Sequence, residues 1–264
     1  MRFLTNALKG REPLLIDPTR AADHASHVAQ ASVIEDTLSL IFGKKPEPMK
    51  VGKVGIIPLK GVIGKSLTKL DTLTGAVDVN EFVDALELME EDEEIETIVV
   101  DISSPGGTVT GVEEAALALS RSSKKTVAYT ETEAASAAYW IGSAADRFVA
   151  TPSATVGSIG VYMAIPDYSK AFEAAGVRMD VIKSGTLKGA GIPGTSLSDA
   201  QRADLQAQVE AIHADFKAAV RGKRKMAKDE DMEGQVFSGK EAARKGLVTG
   251  LGTSLRALVN DLNS

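Results

Sequence analysis

Ser136 lies in the stretch "AASAAYW", a hydroxyl with two alanines on either side. Two chemistries suit that setting. A serine just ahead of the helical run "SAAYWIGSAAD" can cap the helix or pack closely. Equally, first-turn N–H groups and the helix dipole favour developing negative charge, so the hydroxyl could act as a nucleophile. The small neighbours fit both, because a substrate backbone can approach alanine as closely as another helix can. A nucleophilic serine needs a base. Of the three histidines, His24 and His27 precede a linker, and His213 sits beside an apolar helix stripe as a boundary residue with no motif around it. A Ser-His-acid triad therefore has no support. A lysine can serve instead if burial lowers its pKa from about 10.4 towards the working pH. Lys188, in "IKSGTLKGAGIPG", follows an expected strand in a loop with glycines on both sides; Lys183, inside that strand, is the second choice. A surface position is the plain alternative for Lys188. The run "DISSPGG" ends a strand in Pro105-Gly106-Gly107. Without a β-carbon such glycines can offer N–H groups to an oxyanion or an extended peptide, or simply form a turn.

Other chemistries are weaker. "GVIGKS" ends like a phosphate-binding loop, but Leu59 stands where that loop needs a glycine, which rules out an ATP site. His24 and His27 have no third ligand nearby and read as surface histidines. The acidic run at 90–94 reads as a solvated helix end, and no metal site or cofactor is expected. The chain lacks cysteine, so disulfides, thiolate metal sites and a cysteine nucleophile are all excluded. A net charge of -6 argues against nucleic-acid binding by phosphate neutralisation. Charges interrupt the first residues, and no run reaches the roughly 18 apolar residues of a membrane span. A cytoplasmic location without a membrane span is expected.

The elements that must position these residues alternate. A helix is expected over 17–42, opened by Asp17 and Pro18, followed by the linker "GKKPEPMKVGK". From Val54 onward come "VGIIPL", a helix around "EFVDALELMEE", "ETIVVDIS", the helix "VEEAALALS" and "TVAYT". Beyond Tyr168 a short helix, a strand near "MDVIKSG", a long amphipathic helix through Leu205 to Val220, and a strand-helix-strand ending are expected. This is an α/β pattern. Residues 1–50 read as a helical segment with linker, and 51–264 as one domain.

Taken together, "DISSPGG", "AASAAYW", "ATPSATVGSIGVYM", "VIKSGTLKGAG" and "QVFSGKEAARKGLV", in that order, resemble the Ser-Lys peptidases of the signal peptide peptidase A family, to which the phage capsid-assembly proteases belong. The resemblance runs from about Val54 to the C-terminus. It implies a Clp protease/crotonase-like spiral of β-α units, with Ser136 as nucleophile and Lys188 as general base. The N–H groups of Gly107 and Ala137 would form the oxyanion hole, and Ser158, in "GSIGV", would orient the lysine. Where the family commonly has Gly-Gly after the nucleophile, this chain has Ala137-Ala138, which bears on oxyanion geometry and groove width. The implied partners are polypeptide substrates and further copies of the chain in a homo-oligomer. The segment ahead of the linker suggests a phage or prophage head-maturation protease acting on scaffold or capsid proteins, or on itself. A bacterial peptidase that clears leader-peptide fragments, an inactive scaffold, and crotonase-type acyl-CoA chemistry are the alternatives.

Overall fold

The computed structural model describes residues 14–16 and 46–264. The helix expected over 17–42, with His24 and His27, lies outside them. In chain order the first elements are β1 (Leu14–Ile16), β2 (Met49–Val51), β3 (Val54–Lys60), β4 (Val62–Gly64), α1 (Lys69–Leu73), β5 (Ala76–Asp78) and α2 (Val79–Glu91). Then come β6 (Thr97–Ser104), β7 (Gly106–Thr108), α3 (Val112–Ser120), β8 (Lys125–Ala135), α4 (Ala137–Ser143), β9 (Arg147–Ala150) and β10 (Thr155–Gly157). The chain closes with α5 (Ser169–Ala174), α6 (Asp199–Lys223), β11 (Val236–Ser238), α7 (Gly239–Arg244), β12 (Gly250–Leu251) and α8 (Leu255–Asn263).

The main sheet runs β11-β10-β8-β6-β3-β2, with β9 pairing β8 and β12 pairing β9. Its interior pairings are parallel, whereas β2 and β11 join antiparallel. Parallel strands covered on both faces read as continuous apolar runs, and the pleat sorts them. Ile57, Leu59, Ile98, Val100, Ile102, Ala128 and Phe148 face a core shared with α2, α3, α4 and α6. Val54, Ile56, Val99, Val127, Tyr129 and Val149 face the opposite way, onto Leu258 and Val259 of α8. A second, small sheet runs β1-β7-β4-β5.

Three expectations change. The stretch read as a linker contains β2, which pairs with β3. Pro-Gly-Gly is more than a turn, because Pro105 separates β6 from β7 and hands the chain from one sheet to the other. No strand forms at "MDVIKSG". None of residues 161–200 is buried, and Val177, Met179, Val181 and Ile182 are exposed, Ile182 completely so. That apolar pattern needs a facing surface and a neighbouring strand, which the other described residues do not supply.

Candidate active site

Ser136 stands between the end of β8 and the start of α4, with φ 54° and ψ -120°. Few non-glycine residues adopt such a backbone, and it costs on the order of 1–3 kcal/mol. The surroundings hold it there. Its N–H donates to Gly157 O at 2.8 Å, and its carbonyl accepts from Trp140 N–H at 2.9 Å. Just upstream, Ile102 pairs with Thr130 but Ser104 pairs with Ala134, so β8 carries extra residues opposite β6 and bends before the serine. The side chain makes no capping bond. Ser136 is only 1 % exposed, and its Oγ is buried with no hydrogen-bond partner. Close packing or capping does not account for a strained residue whose one polar atom goes unsatisfied.

α4 is fixed on every side, all seven of its residues being buried. Trp140 stacks on Phe216 of α6 with centroids 4.6 Å apart, and Tyr139 stacks on Phe148 at 5.6 Å. The Tyr139 hydroxyl donates to Leu247 O at 2.8 Å, and burial raises its pKa well above the ordinary phenol range. A β-carbon at Gly142 would come within 2.6 Å of Ile102 Cδ1, so a larger residue there would push that side chain aside. At the helix's far end the buried Arg224 guanidinium donates to the carbonyls of Ala145 and Asp146, placing positive charge at the negative pole of the dipole. Sequence reasoning did not single out Arg224; an arginine closing a long helix leaves no mark of where its head will go.

The remaining candidates fall around Ser136 with one exception. Ala137 is the first residue of α4, and its N–H is among those no carbonyl within the helix can take. Gly107 lies in β7, against which α4 packs. A β-carbon there would meet Ile63 O at 1.8 Å, so the position admits glycine alone. Next to it, Gly106 N–H donates to Ser104 Oγ at 3.2 Å, which shapes the chain as it leaves β6. Ser158 follows β10 as Ser136 follows β8. Ala135 and Gly157 are paired in register, and Ser158 also has a positive φ, 53°. The two serines thus leave neighbouring parallel strands side by side.

Lys188 is the exception. It occupies an exposed loop, and its amine does not reach Ser136 Oγ, which has no partner. The loop is nevertheless held: Gln201 Nε2 donates to Leu187 O at 3.2 Å and to Lys188 O at 3.4 Å. Gln201 is also the third residue of α6 in a capping box with Ser198, a pattern that "SLSDAQ" displays in the sequence. Lys183 donates to Thr186 O at 2.8 Å within the same loop. His213 is half-buried, with Nε2 at 3.1 Å from Ile159 O and 2.7 Å from Met232 O. Two carbonyl partners require that nitrogen to carry a proton, so it ties α6 to its neighbours. Two clefts, one lined by Ile57, Lys60 and Phe82 and the other by Tyr162, Arg202 and Leu205, do not include Ser136. No helix among the described residues is long and apolar enough to cross a membrane.

The chain is similar to several known proteins. The chain is 30% identical to a putative protease of Methanocaldococcus jannaschii over 69% of its own length and 60% of that protein. It is 31% identical to capsid assembly protease C of Escherichia phage lambda, over 78% of this chain and 48% of that one. A putative signal peptide peptidase SppA of Enterococcus faecium is 31% identical over 67% of this chain and 53% of its own. The chain therefore spans about half the length of the curated relatives it matches. In fold it is similar to a ClpP1 mutant from Listeria monocytogenes, with a TM-score of 0.51 and 13% identity, covering 77% of this chain and 94% of that one. The pattern described as peptidase family S49 matches residues 118–262, a span holding Ser136, Ser158 and Lys188. With more than half of its length matched, the chain belongs to peptidase family S49.

Proposed function

We propose that this chain is a serine endopeptidase working through a Ser-Lys dyad. The observation that carries the reading is Ser136: a buried hydroxyl without a partner, on a strained backbone, at the mouth of a rigid helix. Structure at such a cost is characteristic of reactive residues. In the mechanism, neutral Lys188 takes the proton from Ser136 Oγ as the oxygen attacks a peptide carbonyl. The N–H groups of Gly107 and Ala137 hold the oxyanion. The C–N bond then breaks, the proton passes from Lys188 to the leaving amine, and water releases the acyl group from Ser136. In this reading Ser158, which like Ser136 follows the Ala135–Gly157 rung, holds the lysine.

A lysine acts as base near neutral pH only when covered, and the loop that carries Lys188 is exposed among the described residues. We infer that the cover comes from another copy. We infer a homo-oligomer, a spiral of β-α units within each copy, in which Lys188 of one chain serves Ser136 of the next. The exposed apolar residues of 177–187 support this, since surfaces of that kind mark contacts. Residues 51–264 form the catalytic domain.

The named relatives bear more on a bacterial peptidase that clears leader-peptide fragments in the cytoplasm than on a phage role. The head-maturation reading stands second, favoured by the 78% of this chain that aligns with the lambda protease. Either role predicts cleavage of casein and labelling of Ser136 by a fluorophosphonate. Ser136→Ala and Lys188→Ala should each abolish cleavage, and mixing the two variants should restore part of it. Failure to complement would put the dyad within one chain. An inert wild type with an unlabelled Ser136 would make the protein a non-catalytic scaffold. Faster cleavage of a leader peptide than of a capsid or scaffold protein would decide for the bacterial role.

A further inference from the structure

β1 lies antiparallel along β7, with Leu15 opposite Gly107 and Ile16 opposite Gly106. The other edge of β7 is taken by β4, where Ile63 lies beside Gly107. Leu14–Ile16 thus fills the one edge of β7 that the other described strands leave open. It does so alongside the glycine assigned to the oxyanion. Extended peptides bind an open sheet edge chiefly through main-chain hydrogen bonds, so a segment of the same chain and a foreign peptide compete for it through the same bonds. In this same structure Ser136 is closed to solvent, and α4, which follows it, packs against β7.

We propose that Leu14–Ile16 is a built-in ligand of the substrate edge, which incoming polypeptide must displace before Ser136 can be acylated. The word substrate rests on the Ser-Lys reading; the occupancy of the edge does not. A tethered segment acts at an effective concentration on the order of millimolar, so even weak strand pairing raises the apparent KM several-fold and leaves kcat unchanged.

The test uses the full chain with Leu15→Pro or Ile16→Pro. Adjacent residues of an antiparallel strand point their N–H groups alternately at the partner, so one of the two prolines must remove a ladder bond. That variant should show KM lowered roughly two- to tenfold at constant kcat. It should also show faster fluorophosphonate labelling of Ser136 and faster amide exchange at Gly106–Thr108. Unchanged KM and labelling in both variants overturn the competition, even if exchange quickens. If the wild type and both variants are all inert, the Ser-Lys reading fails. Exchange at Gly106–Thr108 needs no catalysis and then decides by itself: faster exchange upholds the occupied edge, and unchanged exchange overturns it.

Discussion

Replacing Ser136 by glycine sets stability against activity and so reports what the residue is for. Glycine adopts φ 54° and ψ -120° freely, which releases on the order of 1–3 kcal/mol of backbone strain. Removing a buried hydroxyl that has no partner is worth about 1–3 kcal/mol more. Against these stand roughly 0.5–1 kcal/mol for the freer unfolded glycine and about 1 kcal/mol for the lost methylene contacts. The net expectation is a gain of about 2 kcal/mol, or a rise in Tm of roughly 4 °C for a chain of this size. Ser136→Ala removes the hydroxyl but keeps the strain, so it should gain less, about 1 kcal/mol. Both should lose catalysis by at least about 10⁴-fold. Urea unfolding followed by circular dichroism, at matched protein concentrations so that assembly contributes equally, gives the stabilities. A glycine variant less stable than wild type would show that the serine is a structural cap or a packing piece, and the case for a strained nucleophile would fall.

Gly107→Ala brings a β-carbon to 1.8 Å from Ile63 O and 2.6 Å from Ile63 C, so β7 has to move off β4. Loss of the aligned donor should lower kcat/KM by about 10²–10³-fold while Ser136 labelling slows, which steady-state kinetics and probe kinetics will measure. For Asp146, burial alone would raise the carboxyl pKa, but bonds from Lys223 and from Thr126 outweigh it and hold the group below its ordinary 3.8. A depressed carboxyl stabilises fully above the unfolded value and loses that contribution as pH falls through the folded one. Wild-type stability should therefore drop more steeply than that of Asp146→Asn as pH falls below about 4 in acid-unfolding curves.

Where local pattern and tertiary need agree, the chain is readable in advance. The runs that became β3, β6 and β8 are apolar enough to be buried on both faces, and the α2, α3 and α6 regions carry helical periodicity. The small residues around Ser136 marked the spot. They could not distinguish a cap from a nucleophile, because that difference lies in a backbone angle imposed by β10 and α4. β2 was hidden by prolines and lysines that suggest a linker, since an exposed edge strand needs no apolar pattern. β1 is three residues long and owes its strand geometry wholly to β7. The stretch around Val181 erred in the other direction: its alternation promises a strand, yet nothing among the described residues pairs with it. Lys188 lies in the same exposed stretch, so the role proposed for it rests on a surface outside the described residues.

Ser136 and Ser158 each leave a strand one residue past the same Ala135–Gly157 rung, and Ser136 N–H is bonded to Gly157 O. Their hydroxyls are spaced by a ladder rather than by a loop. A residue inserted into β8 or β10 beside that rung would shift it, turning one serine away from the other, or be expelled as a bulge, whereas the turns at 144–146 and 151–154 can absorb a change of length. Engineering of this centre should keep both strands intact at the rung and place new loops in those turns.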